Sequence, residues 1–191
     1  MIHIIYMAAG NSRRFGSNKL FYELDGKPMY RHLLDHLMEI KDRYNNLENT
    51  RTNKRLDSDE MDTDTVVDTY IGTDIGLSKK AEKKTKNTES SSPLIDITVV
   101  TRYLEILDYC SSIPDCRAVL SPDSEKGISY TIKAGIMAVQ EQKKLKKSSE
   151  VTHHTAETEE YYMFAVADQP YLKSQSVIKL IDRVLKNTGG K

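Results

Sequence analysis

The chain has 191 residues, enough for one domain with a substantial core. Its 28 basic residues balance 28 acidic ones, which argues against a nucleic-acid binder, because such proteins usually carry a net basic balance or a basic stripe. Hydrophobic residues make up 38% and mean hydropathy is -0.56. No apolar run approaches the roughly 18 residues of a membrane span, and the amino terminus enters an apolar segment without the basic-then-hydrophobic pattern of a signal peptide. A cytoplasmic protein with no membrane partner is expected.

Residues 2–7 are apolar and β-branched, reading as a strand covered on both faces. "MAAGNSRRFGSNKL" (7–20) follows as a turn of small and cationic residues. "LFYELDGKPMY" then gives a short alternating piece with Asp25-Gly26 as a turn and Pro28 suited to the first turn of a helix. "MYRHLLDHLMEI" carries Tyr30, Leu33, Leu34, Leu37, Met38 and Ile40 at helical spacing. Next come a strand at 94–101, a helix over "RYLEILDYC", a strand in "CRAVLS", a helix over "GISYTIKAGIMAVQ", a strand in "YYMFAVA" and a helix over "SVIKLIDRVL". This βαβα succession predicts a single α/β domain, Rossmann-like and doubly wound, with a mostly parallel sheet. Residues 44–93 and 142–160 differ in kind, being rich in Asn, Thr, Asp, Lys, Glu and Ser. Neither buries enough apolar area to offset its ordering entropy, so both are expected to be mobile surface insertions, with 65–77 the one part able to pack locally.

A turn of small residues between a buried strand and a helix suits phosphate, because the backbone can approach closely and several N–H groups converge. GxGxxG fails, since only Gly10 and Gly16 are present, and the Walker form fails, since no Ser or Thr follows Lys19. The remaining pattern is a backbone cradle plus Arg14, a bidentate fork, and Lys19, a compact point charge. Its place after the first strand is where open α/β sheets bind ligands. Asp168, in "VADQPYL", ends an apolar strand, so its carboxylate should emerge at the same sheet edge, where a lone acid and substrate phosphates can share Mg²⁺. A turn or helix cap is the plainer use of such a residue.

Other groupings carry less. His32 and His36 in "HLLDH" have zinc-hydrolase spacing but lack the glutamate between them, so a packed or solvated helix face is expected. Cys110 and Cys116 flank "SSIPD", which is not CxxC spacing, and no second pair exists; reduced, packed thiols are expected. "QKKLKKSSE" reads as a solvated loop, and the neighbouring His153 and His154 support no more than adventitious metal binding.

"MAAGNSRRFGSNKL…LDGKPMYRH" resembles the opening signature of nucleotidyltransferases with a glycosyltransferase-A-like fold, also found in nucleotide-diphospho-sugar transferases. It is most similar to the molybdenum-cofactor cytidylyltransferase group and its guanylyl-transferring relatives. "SPDSEKGISYTIKAG" looks like that family's Gly-x-Ser-x-Ser/Thr segment with a later glycine, and "VADQPYL" like its acidic motif; the resemblance spans 1–43 and 94–187. It implies a Mg²⁺-dependent transfer of a cytidylyl group from CTP to the phosphate of molybdopterin. Ala8, Ala9, Gly10, Ser12, Arg14 and Lys19 would hold the nucleotide, joined by Gly127, Ser129 and Thr131. Lys19 and Arg14 would stabilise charge at the phosphates, and Asp168 would ligate the metal. Gly127, Ser129 and Thr131 equally suit a plain helix start. "AAG" where the guanylyl enzymes have "AGG" points to CTP over GTP. A molybdenum hydroxylase apoenzyme is the implied recipient of the product. A sugar phosphate or alcohol phosphate is the alternative acceptor. The family fold continues past the acidic motif with further strands and a Gly-Asn/His-Pro segment that shape the acceptor pocket, and the 191 residues end before that part. A longer chain, a partner chain supplying it, and a catalytically silent nucleotide- or cofactor-binding module remain the three readings.

Overall fold

The computed structural model describes residues 1–10, 12, 16–59, 93–149 and 159–188. Strand β1 (Ile2–Ala8) is buried along its whole length and lies inside a four-stranded sheet. It pairs in parallel with β4 (Ile95–Thr101) on one side and β6 (Tyr161–Val166) on the other. Strand β5 (Arg117–Leu120) adds beyond β4, giving the order β5-β4-β1-β6. The expected parallel α/β architecture is therefore present.

Right-handed crossovers dictate which face each helix covers. Helix α1 (Met29–Asp59) carries the chain from β1 towards β4, and α2 (Leu104–Ser111) from β4 to β5, in the same direction and so on the same face. Helix α3 (Ile128–Ser149) returns from β5 to β6 and so covers the opposite face. The larger core lies under α1, α2 and α4 (Ser174–Thr188), where Ile4, Tyr6, Leu33, Leu34, Leu37, Val99, Ile106 and Ile181 pack together. Full burial of each such leucine or isoleucine is worth about 1.5–3 kcal/mol. The smaller core joins Ile5, Met7 and Val100 to Ile132, Ala134 and Ile136 of α3.

Close approach of α3 to the sheet depends on Gly135. A Cβ there would stand 2.5 Å from Ile5 Cγ2 and 3.2 Å from Val100 Cγ2, and both side chains are fully buried. Gly135→Ala is expected to destabilise the protein by about 1–3 kcal/mol through overpacking, less the ~1 kcal/mol that alanine gains in helix propensity. A urea titration with an unchanged midpoint would contradict this account of the packing.

Between β1 and α1, the chain forms a 3-10 turn (Lys19–Phe21) and a two-residue hairpin, β2 (Glu23–Leu24) with β3 (Lys27–Pro28). Asp25 and Gly26 both have positive φ, +50° and +73°, the primed-turn geometry that Asp-Gly favours. Pro28, read from sequence as part of the helix, instead closes β3 one residue before α1 begins. His32 Nε2 donates to the carbonyls of Leu24 (2.8 Å) and Lys27 (3.2 Å), so this histidine pins the hairpin to the first turns of α1.

Helix α1 also runs past the boundary drawn from composition. Residues 44–59 continue it, and residues 142–149 likewise continue α3. Tyr44 donates a hydrogen bond to Asp182 of α4, and the Asn45 amide bonds both the N–H and the C=O of Ile95, each at 2.9 Å. Residues 60–92 and 150–158, including the 65–77 stretch and His153 and His154, lie outside the described residues.

Candidate nucleotide site

All four parallel strands end at one edge of the sheet, and a cavity of about 380 Å³ opens there. That volume falls within the range of small-ligand sites. Met7, Ala9, Gly10, Ser12, Lys19 and Leu20 line it from the β1 side, and Val166 and Asp168 from the end of β6. Ser124, Glu125, Lys126, Gly127, Ile128 and Thr131 complete the wall, from the 3-10 turn Pro122–Lys126 and the start of α3.

Short-range bonds fix the loop. The Lys19 N–H donates to Ser12 Oγ at 3.0 Å, folding the turn back on itself, and Asn18 Oδ1 caps the 3-10 turn by accepting from Leu20 N–H at 3.2 Å. Tyr103 OH donates to the Gly10 carbonyl at 2.8 Å, and Thr101 Oγ1 donates to the Ala8 carbonyl at 3.0 Å. These bonds tie the start of the loop to the end of β4. On the far side, Ala167 N–H donates to the Met7 carbonyl at 3.1 Å, which sets Asp168 just beyond the β1–β6 ladder.

Lys19 Nζ and the Asp168 carboxylate form a direct ion pair, both side chains being about one-third exposed (32% each). Two groups 149 positions apart in sequence thus meet at the mouth of one cavity. Helix α3 presents its amino terminus to the same space. The helix dipole favours an anion there, although the Tyr130 N–H is already bonded to the Gly127 carbonyl at 3.2 Å. Gly127 has φ +149°, open to glycine and strained for other residues, and it lets the chain turn from the 3-10 segment into α3.

The residues singled out from sequence divide cleanly. Ala9, Gly10, Ser12, Lys19, Gly127, Thr131 and Asp168 line the cavity together. Ala8 is fully buried and packs into the larger core, and Ser129 is exposed; neither is part of the cavity lining. Arg14 lies outside the described residues, as do Asn11, Arg13 and Phe15. Ser124 and Lys126 were not anticipated. Ser124 is buried and bonds Ser121 Oγ at 2.9 Å, while Lys126 is exposed and paired with Asp123 at 2.7 Å. A lysine directly before a glycine at a predicted helix start was the available signal for Lys126.

Among the described residues there is no group of three or more His, Cys, Asp or Glu side chains able to hold a metal. The carboxylates at the cavity are Asp168, paired with Lys19, and Glu125, which lies 3.5 Å from Arg102. Such a set fits an ion such as Mg²⁺, which keeps waters and takes one or two carboxylates together with substrate phosphates; it does not fit an ion caged by protein alone. No helix of the described residues is long and apolar enough to cross a membrane.

A parallel α/β sheet with a small-residue loop, a lysine and an acid gathered at its carboxyl edge has the form of a nucleotide-binding domain. Residues 4–74 match the family described as the MobA-like NTP transferase domain. That match spans β1, the loop, the hairpin and α1, and it supports nucleotidyl transfer from a nucleoside triphosphate as the chemistry. Gly127, Thr131 and Asp168 lie beyond the matched residues and join the loop through the fold. No curated protein and no solved structure matches the chain.

Proposed function

We propose that the protein is a Mg²⁺-dependent nucleotidyltransferase that moves a cytidylyl group from CTP to the phosphate of molybdopterin. An acceptor phosphate oxygen attacks the α-phosphorus of CTP, the α–β phosphoanhydride bond breaks, and pyrophosphate leaves. The observation that carries the reading is the meeting of Lys19 and Asp168 at the mouth of the small-residue cavity. Bound Mg²⁺ would neutralise charge as it builds on the phosphates. Lys19, held by the Ser12 bond to its backbone, supplies a fixed positive charge beside the α-phosphate. The Gly10 backbone admits the phosphates closely, and the α3 amino terminus around Gly127 and Thr131 faces them. Arg14 is assigned to the same phosphates from its place in the loop sequence, and Ser129, exposed beside Gly127, is left without a ligand contact in this reading. The choice of CTP over GTP rests on Ala9, whose methyl group lines the cavity where guanylyl-transferring relatives have glycine. A molybdenum hydroxylase apoenzyme would receive the product in a cytoplasmic setting.

The test is pyrophosphate release by the full chain, with Mg²⁺, each nucleoside triphosphate in turn, and either molybdopterin or a panel of sugar phosphates and alcohol phosphates. Release with CTP and molybdopterin is expected. Release only with sugar phosphates or alcohol phosphates would replace the acceptor and keep the chemistry. Calorimetric binding of CTP or GTP without turnover on any acceptor would make the chain a binding module and overturn the enzyme reading.

A further inference from the structure

At the opposite end of the sheet from the nucleotide cavity, Cys110 and Cys116 are both free thiols and hydrogen-bond each other. Consecutive turns bring them together: Ile113 N–H donates to the Cys110 carbonyl at 3.1 Å, and Cys116 N–H to the Ile113 carbonyl at 3.3 Å. The two thiols differ in setting. Cys110, near the end of α2, is fully buried in the larger core. Cys116, one residue before β5, is half-buried and opens on a second cavity of about 650 Å³ lined by Lys41, Asn45, Asp96 and Arg117. Lys41 is itself only 5% exposed, and its ammonium donates to the carbonyl of Asp115, the residue before Cys116, at 2.9 Å. A cation is thus buried beside the more accessible sulfur.

We propose that Cys110 and Cys116 are a peroxide-reactive dithiol, with Cys116 the attacking sulfur and Cys110 the resolving one. The Cys116 thiolate attacks one oxygen of hydrogen peroxide, the O–O bond breaks, and the departing hydroxide takes a proton to leave as water. The resulting Cys116 sulfenic acid is then attacked by the Cys110 sulfur. An S–S bond forms, the S–O bond breaks, and the Cys110 proton leaves with the hydroxide as a second water. Two thiols lose two electrons and one peroxide gains them. The division of roles follows from the surroundings. The hydrogen bond from Cys110, helped by the Lys41 charge, holds the Cys116 thiol below its ordinary range despite partial burial. The same hydrogen bond, together with burial, pushes the Cys110 thiol up. Enclosed in the core, Cys110 is shielded from peroxide and meets only the sulfenic acid formed at Cys116, the sulfur that opens on the cavity.

The chain has two cysteines, so the outcome can be read on the intact protein. Reduced full-length protein treated with about one equivalent of hydrogen peroxide is expected to lose both free thiols and the mass of two hydrogen atoms. Peptide mapping is expected to show a link between Cys110 and Cys116, and dithiothreitol should restore both thiols. Before oxidation, iodoacetamide at pH 7 is expected to label Cys116 about tenfold faster than Cys110, with a half-maximal rate below about pH 8.5, the ordinary thiol value. In Cys110→Ser, dimedone should trap a sulfenic acid on Cys116; in Cys116→Ser it should trap none. Survival of both thiols in the wild-type protein, or disulfides formed only between chains, would overturn the proposal without reference to either variant.

Discussion

Lys19→Ala is expected to slow nucleotidyl transfer by about 10²–10³-fold, the loss typical when a preorganised group facing developing charge is removed. Nucleotide affinity should fall with it, since hydrogen bonds to charged groups are worth about 1.5–3 kcal/mol. The fold should tolerate the change. The ammonium is one-third exposed, its ion pair with Asp168 is at the cavity mouth, and exposed pairs contribute about 0–1 kcal/mol. The bonds shaping the loop use the Lys19 backbone and Ser12, not the Lys19 side chain. Melting temperature measured alongside pyrophosphate release separates loss of function from loss of structure. Lys19→Arg should rescue only in part, because a planar fork cannot occupy the place of a point charge. Retention of rate and affinity within about twofold in Lys19→Ala would remove this residue from the site.

Asp168→Asn is expected to cut Mg²⁺-stimulated turnover by about a hundredfold or more, given the several kcal/mol that metal-assisted charge stabilisation supplies. It should also flatten the dependence of rate on Mg²⁺. A second effect runs the other way and makes the test specific. In the free protein the Asp168 carboxylate occupies Lys19 and sets a negative charge where phosphates would sit. Neutralising it frees the ammonium, so CTP binding measured with a chelator present should be no weaker in the variant than in the wild-type protein, and should be tighter at low salt. An unchanged magnesium titration would contradict the metal role. Weaker metal-free binding would contradict the competition between carboxylate and phosphate.

The contrast between Thr131 and Ser129 shows what the sequence made legible and what it did not. Gly127 and Thr131 stand four residues apart at the start of α3 and share a face, the one turned to the cavity. Ser129, two residues from either, points elsewhere and is exposed. A motif read as a string groups all three, whereas a helix separates them. Alternation along β1 does the same at the other wall: Met7 and Ala9 reach the cavity, while Ala8 between them faces the α1 side and joins the core. The strands themselves were plain, because segments as apolar as Ile2–Ala8, broken only by His3, have few other folds open to them. The continuation of α1 past residue 43 was hidden because polar contacts fix it. Asn45 satisfies both backbone groups of Ile95, and Tyr44 reaches Asp182; asparagine-rich composition carries no trace of such partners. Ser124 and Lys126 were missed for a related reason. They sit in a polar 3-10 turn that reads as loop, and they reach the site because the reversal of direction between β5 and β6 brings the head of α3 over the sheet edge.

The β1–β6 ladder joins the first strand among the described residues to the last, so its closure confines a very long loop. Contacts of that kind carry a high entropic charge and tend to form late in folding. A chain that has assembled β1, α1 and β4 alone therefore has half of a phosphate grip and no counterpart to it. A triphosphate spanning both halves acts as a clasp on the slowest seam of the molecule, and mass action extends its grip to the whole native state. Amide protons at the start of β6, residues 161–163, should accordingly exchange with solvent more slowly once ligand is bound, at the far end of the strand from the cavity-lining Val166.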